Sequence, residues 1–207
     1  MKQVALRLSG SLVAVLGLWT LVWLPLVLGE GSAAEVEDHA LGDPNAPVTI
    51  IEYASLTCPH CADFHEDVLP QLKERYIAPG KVRMIYRDFP LDQRALAAAS
   101  LAHCAGSERY FGFLDVLFQT QESWARADDY LAALKRLGKL GGLSEAEMDA
   151  CFADEELTNR ILQTRLDAQN QHEISSTPTF IIDGKAYPGS RGIEEFGELI
   201  DPLLDES

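Results

Sequence analysis

Two cysteines separated by two residues stand in the stretch Ser55-Leu56-Thr57-Cys58-Pro59-His60-Cys61. Such a pair can close a disulfide or supply half of a zinc site. Zinc needs four ligands, and no second CxxC or close Cys/His pair follows at a suitable spacing, so no metal is expected. Redox chemistry fits the context better. The pair follows an apolar run, Val48-Thr49-Ile50-Ile51-Glu52-Tyr53, that reads as a strand, and it opens a segment of helical periodicity. With Cys58 at or just before the first helical turn, its sulfur faces unpaired backbone N–H groups and the positive end of the helix dipole, which favour thiolate over thiol. Pro59 suits the first helical position, and His60 brings an imidazole able to carry positive charge beside the sulfur. Cys58 is therefore the expected nucleophile, with a depressed pKa, and Cys61, one turn further in, the resolving thiol. A stabilised thiolate stabilises the reduced pair, which makes the disulfide form a stronger oxidant.

Three further features could bear on that chemistry. Glu52 sits in an otherwise apolar or β-forming run, six residues before Cys58. On pattern alone it is either a solvent-facing glutamate or a partly buried carboxyl beneath the dithiol, its pKa raised by desolvation, that shuttles the proton of Cys61. His65, one turn beyond Cys61, is expected to be a surface or helix-packing histidine, since nothing else places it near Cys58. Cys104 and Cys151 are either buried free thiols or, in an exported protein with an even cysteine count, a structural disulfide. That bridge would close a loop contributing about 4 kcal/mol in the chain-entropy model. No helix start or cationic neighbour depresses their pKa, so no catalytic role is expected of them.

The elements that must position these residues alternate in type. After the strand at 48–53, Phe64, Val68, Leu69, Leu72 and Tyr76 recur at helical spacing, with a kink expected at Pro70. Pro79-Gly80 makes a turn and Val82 to Tyr86 alternates as a second strand. Residues 92–172 hold no β-like run; helices are expected at 95–102, 110–118, 130–137, 145–152 and 157–168, with a capping-box start at Ser144 to Glu147. A Cys104–Cys151 bridge would tie the first of these helices to the fourth. Thr179 to Ile182 reads as a strand, Asp183-Gly184-Lys185 as a hairpin turn, Ala186-Tyr187 as the partner strand, and Ile193 to Leu204 as a last helix.

Cys58-Pro59-His60-Cys61 preceded by Ile51-Glu52-Tyr53-Ala54-Ser55, with Tyr86-Arg87-Asp88-Phe89-Pro90 and Thr177-Pro178-Thr179-Phe180 following in order, resembles the DsbA-like thiol:disulfide oxidoreductases of the thioredoxin superfamily. The resemblance covers nearly everything after Pro47. It implies an α/β thioredoxin fold in which 48–91 and 173–207 form the βαβ and ββα halves, and 92–172 an all-helical insertion covering one side of the active site. It favours the proton-shuttle role for Glu52. It also implies a cis bond before Pro178 that faces the dithiol, leaving the backbone of Thr177 free to bind an extended substrate chain. The best-known oxidases carry an aliphatic residue where Thr177 stands, whereas isomerase-type relatives resemble this chain. Some relatives carry a second cysteine pair like Cys104 and Cys151. No cofactor is implied beyond the dithiol.

The composition sets bounds on the rest. At 207 residues, 47% hydrophobic and 24% charged, the chain is ordinary for a folded domain. Its formal charge of −15 argues against nucleic-acid binding and for, at most, a mild preference for cationic clients. Lys2 and Arg7 precede a long apolar run, residues 8–28, and Ser32-x-Ala34 would suit a signal peptidase. Residues 1–34 are thus expected to be a signal peptide, or an uncleaved membrane anchor, with the remainder periplasmic or otherwise extracytoplasmic. Glu35 to Pro47 reads as a linker arm, too short for the dimerisation domain that isomerases of the family usually add. The expected protein is a monomeric oxidase of reduced, unfolded exported proteins, renewed by a membrane redox partner; a disulfide isomerase or reductase is the near alternative, and a non-redox chaperone the distant one.

Overall fold

The computed structural model describes residues 38–205, so the expected targeting segment at 1–34, with its apolar run at 8–28, lies outside the described residues. Among the described residues five strands, β1 (His39–Leu41), β2 (Val48–Ala54), β3 (Val82–Asp88), β4 (Thr179–Ile182) and β5 (Lys185–Pro188), form one sheet in the order β1-β3-β2-β4-β5. β2 and β3 are parallel, with Glu52 opposite Tyr86 and Ala54 opposite Asp88. The other pairings are antiparallel. Parallel neighbours need a crossover, which the dithiol helix supplies, whereas β4 and β5 are joined by a tight hairpin. In that hairpin Asp183 and Gly184 both have positive φ, 49° and 72°, the condition a two-residue turn of this hand imposes.

One segment departs from its sequence reading. Residues 35–47, expected to be an irregular arm, contribute β1, which pairs with β3 through His39 opposite Tyr86 and Leu41 opposite Met84. Three residues are too few for alternation to register in sequence. The strand also carries His39 to the insertion side of the sheet, where it stacks on Tyr110 with 3.6 Å between ring centroids.

The crossover runs through α1 (Pro59–Asp63), a π-helical turn at Phe64–Val68, α2 (Leu69–Leu72) and a second π-helical turn at Lys73–Ile77. Pro70 has no N–H to donate, and the chain widens just ahead of it so that the Leu69 N–H reaches the Phe64 carbonyl. The wider turn lets two consecutive residues, Phe64 and His65, both face inward.

The insertion comprises α3 (Gln93–Cys104), α4 (Tyr110–Gln119), α5 (Gln121–Ala125), α6 (Tyr130–Leu140), α7 (Glu145–Phe152) and α8 (Glu155–His172), and α9 (Ile193–Asp205) closes the fold. Asp92, Asp129, Ser144 and Asp154 each cap a helix start, and Ser144 with Glu147 forms the full capping box. The short, mostly polar α5 carries no periodic signal and was not expected. Cys104 and Cys151 form a disulfide tying α3 to α7.

Strand alternation divides the core. Val48, Ile50, Val82 and Met84 pack with Phe64, Leu69, Leu72 and the apolar stripe of α9. Further along the same face, Ala54 and Tyr86 pack with Cys58, Cys61 and the insertion helices. The opposite face, with Tyr53 and Ile181, meets Ala168 of α8. The dithiol therefore sits at the seam between the sheet and the insertion.

Candidate active site

Local geometry makes the two cysteines unequal. Cys58 is the N-cap of α1, extended at φ −84° and ψ 118°, and Pro59 follows at the helix start. Proline's fixed φ suits the first helical position, and its ring forces the preceding residue out of the helical region. Cys58 is 6% exposed and Cys61, one turn on, is wholly buried; both are free thiols. The Cys58 thiol donates to the Thr177 carbonyl at 3.3 Å, and the Thr177–Pro178 peptide bond is cis. The Thr177 hydroxyl is buried with no other protein partner, so it is available to a Cys58 thiolate.

These contacts bring the Cys58 pKa down to about 5. The largest cause is the hydrogen bond from the Cys61 thiol; burial opposes it, while the Thr177 side chain and the backbone N–H groups of Cys61 and His60 add to it. Cys61 moves the other way, well above the ordinary thiol range, because burial, its hydrogen bond to Cys58 and the Glu52 charge all favour the protonated thiol. Cys58 is thus built as a thiolate and Cys61 as a thiol that needs a proton acceptor to react.

His60 corrects one expectation. Its imidazole is 72% exposed and faces Asp63 at 3.4 Å, so it is not the charge beside the sulfur. At the second helical position the side chain points to solvent and toward the next turn, and what His60 offers Cys58 is its backbone N–H.

Glu52 is on the same face of β2 as Val48, Ile50 and Ala54, and it is completely buried, which excludes the solvent-facing alternative. Its Oε2 lies 3.0 Å from His65 Nε2, and its Oε1 has no protein partner. His65 is accordingly no surface histidine: it is buried and stacked on Phe118 at 4.1 Å between centroids. The sequence signal was present, since His65 is four residues past Cys61 and shares its helix face. What sequence lacked was the partner, a carboxylate on a strand.

Gln121 was also missed. From α5 its side-chain amide donates to the carbonyls of Leu56 at 2.9 Å and Cys58 at 3.0 Å, fixing the loop that presents the nucleophile. Thr57 donates to Asp92 at 2.9 Å, which ties the same loop to the start of α3. Nothing local marks either partner. The structure thus sets the start of α1, with Cys58, Pro59 and Cys61, against the cis Thr177–Pro178 bond, with Glu52 buried near Cys61, while Cys104 and Cys151 stand apart in the insertion. Among the described residues, no group of three or more His, Cys, Asp or Glu is arranged to hold a metal.

A family model described as thioredoxin matches residues 34–202. A Rickettsia felis protein, provisionally named a protein-disulfide oxidoreductase, is 32% identical over 82% of this chain, which spans 61% of that protein's length. The crystal structure of Wolbachia pipientis alpha-DsbA1 superposes with a TM-score of 0.76 at 38% identity, covering 82% of this chain and 92% of that one. A structure titled protein-disulfide isomerase, from Novosphingobium aromaticivorans, has a TM-score of 0.70 at 25% identity over 81% of this chain and 97% of its own. With its strand order, cis-proline and N-capping cysteine, the chain belongs to the thioredoxin superfamily and, within it, to the DsbA-like proteins.

Proposed function

We propose that this protein is an exported thiol:disulfide oxidoreductase that introduces disulfides into reduced extracytoplasmic proteins through Cys58 and Cys61. The observation that carries the reading is the opposition of the two thiols, one held as thiolate and one as thiol, beside the cis-proline loop. A client thiolate attacks Cys58 Sγ of the disulfide; the Cys58–Cys61 bond breaks, and Cys61 leaves and takes up one proton. A second client thiolate then attacks the client sulfur of the mixed disulfide, and Cys58 departs as its stabilised thiolate. Two electrons have passed from client to protein. A membrane redox partner returns the pair to the disulfide. Glu52 is the group that gives and takes the Cys61 proton, and the Thr177 backbone holds the client in extended form. The chain acts as a monomer outside the cytoplasm, delivered by residues 1–34. Among the described residues no helix is long and apolar enough to cross a membrane.

The test is oxidative folding of a reduced, unfolded test protein by the oxidised chain. The expected result is recovery of native disulfides with the wild type and none with Cys58→Ala. Recovery that survives Cys58→Ser with Cys61→Ser would mean that the client's electrons leave by a route other than this dithiol and would overturn the reading. Thr177 before the cis-proline supports isomerisation as a second reading, and a scrambled test protein offered to the reduced chain distinguishes it.

A further inference from the structure

A buried set of titratable groups beside the dithiol has no part in the exchange as described. Asp88, at the end of β3, accepts from His103 Nε2 at 2.8 Å and from the Tyr110 hydroxyl at 3.3 Å. With Nε2 donating to Asp88, His103 Nδ1 is left as an acceptor, and it faces His39 Nε2 at 3.3 Å. The Asp88 and His103 side chains are 6% and 9% exposed. A carboxylate and two imidazoles in a line form a proton-conducting arrangement, since each imidazole can accept at one nitrogen and release at the other.

Both ends of that line matter. At the inner end stands Tyr86, cross-strand neighbour of Glu52 and on the same sheet face as Asp88. Its hydroxyl is buried without a protein partner, and so is Glu52 Oε1. Buried polar atoms of this kind are rare unless they serve a function or bind water. The Tyr86 proton is held tightly, by burial first and then by the charges of Asp88 and Glu52. At the outer end a cavity of about 300 Å³ is lined by Tyr86, Asp88, His103 and His39, and the partly exposed Arg87–Asp38 ion pair also lines it. The cavity thus borders the strand that carries Tyr86, whose backbone pairs with that of Glu52 across the two central strands.

We propose that Tyr86, Asp88, His103 and His39 form the relay by which the Cys61 proton passes between Glu52 and the solvent of this cavity. The inference rests on the proposed exchange reaction. Each time Cys61 leaves the disulfide it gains one proton, and each time the pair is re-oxidised it returns one; no electron moves along the relay. Cys61 and Glu52 are wholly buried, so any proton that Glu52 exchanges with solvent must cross the protein. Asp88, His103 and His39 lie outside the group of buried side chains that holds Cys58 and Cys61, while Tyr86 packs within it.

The test compares two rates in the intact chain. One is reduction of the Cys58–Cys61 disulfide by dithiothreitol, which requires Cys61 to be protonated. The other is alkylation of Cys58 by iodoacetamide in a Cys61→Ala background, which does not. The expected result is that His103→Asn and Tyr86→Phe each slow the first rate about tenfold or more and leave the second unchanged, and that added imidazole restores the rate of His39→Ala. If His103→Asn fails to fold, Tyr86→Phe carries the same comparison. Folded variants that react at the wild-type rate, or that slow both rates equally, overturn the relay alone. A wild type that exchanges no disulfides overturns the proposed function and the relay with it.

Discussion

At the residue scale, the difference between two chemically identical side chains is made by position. Cys58 caps a helix and Cys61 lies inside it, and the same hydrogen bond between them lowers one pKa and raises the other. The reduced protein therefore gains stability from the Cys58 thiolate. Because the folded pKa of about 5 lies below the usual 9.0, that gain is complete above pH 9.0 and is lost as pH falls toward 5. Chemical denaturation of the reduced and oxidised forms should show the reduced form's advantage shrinking steadily over that window; a constant difference would contradict it. Thr177→Val removes a hydroxyl that favours the thiolate, so the Cys58 titration midpoint, followed by ultraviolet thiolate absorbance, should rise by about one pH unit. Glu52→Gln should remove a buried charge while keeping a hydrogen-bonding partner for His65. The variant is expected to be more stable by about 1–3 kcal/mol in urea denaturation and slower in the step that protonates Cys61. Of these residues, the cysteines and Pro59 were legible in sequence because their chemistry follows from spacing. The burial of Glu52 was one of two open readings, and the outward turn of His60 was not legible.

At the scale of elements, long periodic segments could be read and short or polar ones could not. The two central strands and the helices of the insertion lie close to where hydrophobic periodicity puts them, because apolar spacing reports burial directly. β1 and α5 escaped, and each carries something the site uses. His39 comes from β1, and the Gln121 clamp comes from α5. A three-residue edge strand and a five-residue polar helix are held by tertiary contacts, which leave no periodic trace. Gln121→Ala should strand the Leu56 carbonyl and loosen the nucleophile loop, lowering stability by about 1–3 kcal/mol in urea denaturation. The π-helical turns are a third such case: Pro70 marks the place in sequence, yet whether the helix kinks or widens depends on what Phe64 and His65 find to pack against.

At the scale of the whole molecule, the fold joins a redox dithiol on a thioredoxin sheet to a helical cover stapled by the Cys104–Cys151 disulfide, 47 residues apart in sequence. Removing the staple with Cys104→Ala and Cys151→Ala together should cost about 2–5 kcal/mol and leave exchange through Cys58 intact, since neither cysteine lies at the site. The net charge of −15 should show in client choice: oxidation of a basic client should slow as salt is raised toward about 0.15 M, where the Debye length is about 8 Å, while a neutral client is unaffected. The central claim is that a stabilised Cys58 thiolate makes the disulfide an oxidant, and the reduction potential of Cys58–Cys61 against a glutathione buffer tests it most directly. A value close to about −120 mV, the oxidising end of the range for such pairs, is the predicted result; one close to about −270 mV would make the protein a reductase and contradict the account.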